Sequence, residues 1–259
     1  MDDGGQAKNR NFVTALARGL DVLRAFRPGE GALTNTDFAQ RTGLPKPTVS
    51  RLTYTLCQLD YLVIDARTGA YRLGPGVLGL GFGVLSGIEI GDRAQSVMSD
   101  LCAGPNSYVT CALAERHGLE VVYLVVERST EDVSLSLSVG AFLPLFHSAM
   151  GRAILVAMEE SDRQRAFALA DADDPGGAGQ RCAGFERALA EYNERGFCTG
   201  YGDWREDVNG IAVPVLAANT GRVFGLNVGG PSFHVSPADL ETIYAPRLID
   251  AANRLSLRP

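Results

Sequence analysis

Three groups of residues in this sequence could do chemistry: scattered thiols and imidazoles, the run G-L-P-K-P-T-V-S-R-L at 43–52, and the run H-S-A-M-G-R at 147–152. The five cysteines (Cys57, Cys102, Cys111, Cys182, Cys198) and three histidines (His117, His147, His234) are the candidates for covalent catalysis or metal ligation. A nucleophile needs a base beside it and a group that orients the base. Cys111 or Cys198 with His147 would supply the first two, and no third residue is evident. Buried cysteines are usually inert small hydrophobes. No ligand spacing draws a zinc site, and an odd, scattered cysteine count gives no disulfide framework. G-L-G-F-G (79–83) lacks both the G-x-G-x-x-G spacing and the preceding strand of a phosphate loop. The expectation is a protein that is not an enzyme and carries no cofactor or metal.

The run at 43–52 points to nucleic acid. Proline suits the first helical turn, so a helix is predicted to begin near Pro47, with Val49, Leu52, Leu56 and Leu59 as its buried stripe. Lys46, Thr48, Ser50, Arg51 and Tyr54 then face outward. Thr48 and Ser50 can bond phosphates or base edges, and Arg51 can reach a guanine edge or clamp a phosphate. Tyr54 reads equally well as a plain solvated residue. The run at 147–152 points to a small acid. Ser148 can cap a helix, and Ala149, Met150 and Gly151 are small or flexible enough to let a ligand approach the backbone. Free N–H groups at a helix start bind carboxylates through hydrogen bonds and the helix dipole. The same residues also read as an ordinary N-cap beneath a core.

These stretches need elements to position them. Apolar residues at 13, 16, 20, 23 and 26 predict a helix over 11–26, ended by R-P-G-E-G. Thr34 or Asn35 can cap a second helix through Thr42, closed by Gly43. Counting Asn35 as position 1, Ala39, Gly43, Val49 and Leu52 occupy the small, left-handed-turn and core positions of a helix-turn-helix. L-V-I-D-A-R-T-G-A-Y-R-L-G (62–74) reads as two short strands around A-R-T-G. Three helices and a hairpin make a winged helix-turn-helix, with Arg67 and Arg72 of the wing as further DNA contacts.

Beyond it, a Gly-rich apolar segment and Glu89–Ala103 are read as helical. Strands are expected over Tyr108–Ala114, Glu120–Glu127, Val133–Val139, Ile211–Leu216 and Val223–Val228. Helices are expected over 148–158, 161–170, 185–195 and 237–255, and 171–180 as a flexible loop. In D-V-S-L-S-L-S-V (132–139), Val133, Leu135, Leu137 and Val139 share one face, lining core or pocket, and the serines share the other. Strands interleaved with helices predict an α+β fold.

Composition fits this organisation. The chain has 259 residues, 46% apolar and 21% charged, enough for one or two domains. Its net charge is −6, but residues 1–85 hold 10 Lys and Arg against 7 Asp and Glu, while 86–259 hold 14 against 23. A basic N-terminal part on an acidic remainder is the asymmetry of a DNA-binding module joined to another domain. The longest apolar stretch, 75–88, is too short and Gly-rich to span a membrane. M-D-D-G-G-Q at the start shows no secretory signal, so a cytoplasmic protein is expected.

The chain resembles the IclR-type family of bacterial transcriptional regulators over nearly its full length. The residues that carry the resemblance are A-L-A-R-G-L-D-V-L-R-A-F (15–26), G-L-P-K-P-T-V-S-R-L (43–52), Y-R-L-G-P (71–75), L-P-L-F-H-S-A-M-G-R-A-I-L (143–155), R-G-F (195–197) and I-A-V-P-V (211–215). It implies a winged helix-turn-helix (11–74), a linker and dimerisation segment (75–103) and a GAF-like effector-binding domain (104–259). It also implies homodimers, often paired into tetramers, on palindromic double-stranded operators. The family's pocket maps onto Ser148, Ala149, Met150 and Gly151, with Leu135 on the apolar face. Asn227 and Gly229 stand where relatives often have serines, Gly210 where cysteine is common, and Gly200 where some have aspartate. These glycines predict a roomier, less polar pocket and a bulkier organic acid, possibly aromatic, rather than a very small keto acid. The alternative on the same scaffold is a regulator responding to thiol oxidation or metal.

Overall fold

The computed structural model describes residues 11–27, 29–87, 91–131, 135, 137–217 and 220–256. The chain divides into two compact units, 1–87 and 88–259.

The first unit opens with α1 (Thr14–Arg24), α2 (Asn35–Thr42) and α3 (Lys46–Gln58). The start of α2 is a capping box: Thr34 accepts from the Asp37 N–H, and Asp37 accepts from the Thr34 N–H. Gly43 closes α2 at φ 68°, the left-handed turn that a side chain would resist. α3 starts with Pro45 as its N-cap residue and Pro47 in its first turn. Val22, Leu33, Phe38, Val49, Leu56 and Leu62 form the core. The predicted stripe needs one correction. Leu59 is 58% exposed, because α3 ends at Gln58 and the next residue leaves the helical spacing. Thr53 is buried instead, its hydroxyl satisfied by the Val49 carbonyl at 3.1 Å. The wing is β1 (Leu62–Ile64) paired antiparallel with β2 (Tyr71–Leu73), and Leu33 adds an isolated bridge to Tyr71. α4 (Pro75–Ser86) follows.

The second unit is an antiparallel sheet covered on both faces. It holds α5 (Gly91–Cys102), β3 (Thr110–His117), β4 (Glu120–Glu127), β5 (Phe142–Pro144), α6 (Ala149–Ala157), α7 (Glu160–Asp173) and α8 (Ala178–Arg195). Then come β6 (Cys198–Tyr201), β7 (Val208–Leu216), β8 (Val223–Pro231), α9 (Pro237–Asp239), a π turn (Leu240–Tyr244) and α10 (Ala245–Ser256). The strand order is β5-β4-β3-β8-β7-β6. α5 and α10 pack on one face of the sheet, and α6 on the other with α8 behind it. The fold is α+β, a helix-turn-helix followed by a curled sheet domain. Among the described residues no helix is long and apolar enough to cross a membrane.

Several expectations shift. Of the strand expected over 133–139, Val133, Ser134 and Ser136 lie outside the described residues, as does Glu89 of the expected linker helix. Leu135 and Leu137 are in no ladder: the Leu137 N–H bonds locally to the Leu135 carbonyl at 2.8 Å, and the partner of β4 is the unforeseen β5. The segment 171–180 is largely helical rather than a loop. Buried Arg181 bonds the Asp171 carboxylate at 2.7 Å and that of Asp174 at 3.0 Å, fastening α7 to α8 through a turn begun by Pro175. β3 and β8 run three residues further than predicted, β7 starts three earlier, and β6 was not foreseen.

Candidate functional site

The outward face of α3 carries two cations, Lys46 and Arg51, that no acidic side chain among the described residues engages. Lys46 is its first residue, and no side chain caps the helix start. Lys46, Ser50, Arg51 and Tyr54 are exposed and Thr48 is half-buried. Among the described residues Lys46 and Arg51 make no ion pair, whereas Arg41 on α2 is engaged by Glu30 through two bonds, 2.5 and 2.9 Å. That guanidinium holds the Glu30 carboxyl down at about 2. Ser50 is not a free hydroxyl: it accepts from Asn35 Nδ2 at 3.3 Å, and Thr53 donates to Asn35 Oδ1 at 3.3 Å. Asn35 thus braces α2 against α3, a role its helix-cap position did not signal. Arg18 of α1 shares a groove with Thr48, Ser50, Arg51 and Tyr54 and was also missed, since only packing brings α1 there.

The wing tip is set by Asp65, whose carboxylate accepts the N–H groups of Arg67 (2.8 Å) and Thr68 (3.2 Å). Those bonds hold the Asp65 carboxyl below its usual range. Gly69 completes the turn at φ 70°, leaving Arg67 exposed at the tip and Arg72 exposed on β2, opposite Val63.

In the second unit α6 rests on a floor of small residues. Gly200, Gly210 and Gly229 align across β6, β7 and β8, with Cys198–Ala212–Asn227–Ala112 as a neighbouring row. A cavity of about 40 Å³ lies where this floor meets the start of α6. Leu135, Ser148, Ala149, Met150, Gly200, Gly210, Asn227 and Gly229 all line it. Gly151 does not: a Cβ there would lie 2.0 Å from the Leu145 carbonyl oxygen, so this glycine lets the chain before α6 pass close to the helix.

Leu137, on the apolar face expected to line core or pocket, lines it too, whereas the sequence did not mark Tyr123, Leu143, His147, Trp204, Val208 and Asn209 as lining residues. Strand alternation from Gly210 could have indicated Val208; only the tertiary fold brings Tyr123 and Trp204 there.

The wall presents hydrogen-bond donors at the start of α6. Ser148 caps α6 by accepting from the Gly151 N–H at 3.0 Å, and its own hydroxyl donates to the Pro144 carbonyl at 2.8 Å. The Ala149 and Met150 N–H groups have no acceptor among the described residues, although both residues are buried. Buried donors without partners are costly and rare. Gly200 keeps one of them clear, since a Cβ there would sit 3.0 Å from the Ala149 nitrogen. Asn227 Oδ1 is buried with no hydrogen-bond partner among the described residues, and Tyr123 presents a hydroxyl whose pKa burial pushes up, so it stays a neutral donor.

The expectation of a roomier pocket is corrected. The missing side chains are used for close packing: a Cβ at Gly229 would lie 2.6 Å from the Asn209 carbonyl, and one at Gly225 would lie 2.7 Å from Met150. About 40 Å³ holds a few waters, whereas a cavity that takes benzene is on the order of 150 Å³. An aromatic guest therefore requires the wall to move. His147, Gly200, Trp204 and Asn227 are its incompletely buried members.

Neither Cys111 nor Cys198 lines the cavity with His147. Burial pushes the Cys198 thiol up to about 12, so it is no nucleophile near neutral pH. No group of three or more His, Cys, Asp or Glu among the described residues could hold a metal.

Comparison with known proteins agrees with both halves. Residues 15–66 match the model of the IclR helix-turn-helix domain, and residues 82–257 match that of the bacterial transcriptional regulator IclR C-terminal region. The Pca regulon regulatory protein of Pseudomonas putida is 29% identical over 254 residues, covering 95% of this chain and 84% of the relative. The crystal structure of an IclR family transcriptional regulator from Brucella abortus is 41% identical, with a TM-score of 0.84, covering 98% of this chain and 95% of that one. An IclR homologue from Microbacterium hydrocarbonoxydans, solved in complex with 4-hydroxybenzoate, shares the fold at 23% identity. Its TM-score is 0.70, and the match covers 93% and 97% of the two chains.

Proposed function

The chain belongs to the IclR family of bacterial transcriptional regulators, and we propose that it is a cytoplasmic regulator whose operator binding is controlled by an organic acid held at the start of α6. Residues 11–74 are the DNA-binding module, 75–103 the linker and dimerisation segment, and 104–259 the effector domain. In a homodimer, or a tetramer made of two, the paired α3 helices enter successive major grooves of a palindromic operator. Lys46, Thr48, Ser50 and Arg51 contact the groove and its phosphates, Tyr54 flanks them, and Arg67 and Arg72 reach the backbone or minor groove. Arg51→Ala should weaken binding by about 1–3 kcal/mol, roughly 5- to 150-fold, if Arg51 reads a base. Fluorescence anisotropy with DNA flanking the protein's own gene, at fixed salt, measures this; unchanged affinity removes Arg51 from the interface.

The observation that carries the effector reading is the pair of unpartnered N–H groups at Ala149 and Met150. A carboxylate accepts from both and sits at the positive end of α6. Asn227 and Tyr123 then meet a polar substituent further in. Once the wall moves apart, Leu135, Leu137, Leu143 and Trp204 surround an aromatic body, and the 4-hydroxybenzoate complex of the Microbacterium homologue supports that class.

Trp204 is the only tryptophan in the chain, so its emission should report binding directly. Titration with 4-hydroxybenzoate should give a saturable change, with no change from an uncharged phenol of similar size. A response to glyoxylate or pyruvate with none to aromatic acids would reverse the choice of effector class.

A further inference from the structure

Two thiols outside the cavity lie against each other. Cys102 is the last residue of α5, and Cys111 is the second of β3, in register with Glu127 of β4. Their sulfurs are 3.0 Å apart, about 1 Å from the separation of a disulfide bond. Cys102 is half-buried and Cys111 buried. The Cys111 S–H and backbone N–H donate to the Cys102 sulfur when that carries the charge, and these bonds, against burial and the Glu127 carboxylate, hold Cys102 below the usual thiol range. Desolvation holds Cys111 above it. A reachable sulfur of lowered pKa backed by a buried second thiol is the arrangement of an attacking and a resolving cysteine.

We propose that Cys102 and Cys111 form a redox-sensitive pair that closes to an intramolecular disulfide on exposure to a hydroperoxide, independently of the effector reading. The Cys102 thiolate attacks the peroxide oxygen; the S–O bond forms, the O–O bond breaks, and the leaving alkoxide or hydroxide takes up a proton. Cys111 then attacks the Cys102 sulfur and displaces hydroxide, which leaves as water with the Cys111 proton. The two sulfurs lose two electrons and the peroxide gains them. The product fastens the last turn of α5 to β3. Thiol reductants of the cell interior return the pair to the dithiol.

The test uses the full-length reduced protein and hydrogen peroxide. No Lys or Arg lies between Ala94 and Glu115, so one tryptic peptide, Ala94–Arg116, holds both cysteines. It should become lighter by two hydrogen atoms, with loss of two of the five thiols in proportion, and dithiothreitol should restore both. In Cys111→Ser the loss should vanish and the peptide should instead carry a Cys102 sulfenic acid trapped by a 1,3-dione. An unchanged wild-type peptide under peroxide that oxidises exposed Cys182, or Cys102 driven to sulfinic acid with Cys111 still a free thiol, overturns the proposal.

Discussion

Leu78→Asp with Phe82→Asp should convert the protein to a monomer and lower operator affinity by at least about 100-fold, the scale on which linked binding modules gain from acting together. The reason is the composition of α4. Leu78, Leu80, Phe82 and Val84 are each more than half exposed, and the helix has no buried residue. Phe12, Val13, Leu16 and Leu20, in and before α1, add a second exposed apolar face in the same unit. Exposed apolar surface of this extent marks an interaction site. Glycines at 79, 81 and 83, where an added Cβ would meet nothing within 4 Å, remove side chains that would keep a second helix away. Because Leu78 and Phe82 are already solvated in the single chain, aspartate there should cost the fold of one subunit little, and any fall in melting temperature should be that of losing the partner. Sedimentation velocity decides it: a stable dimer in the double variant would move the interface elsewhere.

Gly151→Ala should destabilise the sheet unit by about 3 kcal/mol, near the upper end of ordinary overpacking, lowering its melting temperature by roughly 6–12 °C. The new Cβ would sit 2.0 Å from the Leu145 carbonyl oxygen and 2.6 Å from its carbon. Backbone on both sides leaves no side chain to swing away. Gly210→Ala is the control. Its Cβ would lie 3.4 Å from the Val228 carbonyl, an ordinary contact, and it faces the cavity. That variant should melt near the wild type but bind aromatic acids less well. Equal melting of the two variants, followed by calorimetry, would refute the packing role of Gly151.

The first unit was largely legible because its signals are local. Gly43 had to be left-handed, Thr34 had a hydroxyl at the cap, and D-A-R-T-G could only turn between its strands. The exception, Leu59, failed where the helix stops. In the second unit Glu120–Glu127 was found to the residue, whereas β5 and β6, three and four residues long, carry too little pattern to detect. The segment 171–180 looked like loop because its composition is polar and Gly-rich; two ion pairs from Arg181 order it, and pairing at a distance leaves no periodicity. The glycines of the cavity were found, but their use was not. Whether an absent side chain makes room or lets two backbones meet depends on strand register, which places Gly200, Gly210 and Gly229 in one row.

An acid at the start of α6 should change what α3 does on DNA. An effector achieves this only by binding one arrangement of the protein better than another. The most direct measurement is operator affinity by anisotropy at fixed salt, with and without 4-hydroxybenzoate at a concentration that saturates the Trp204 response. The operator dissociation constant should shift about 5- to 150-fold, in either direction, with Asn227→Leu reducing the shift. Saturated Trp204 emission with an unchanged operator affinity would contradict this coupling.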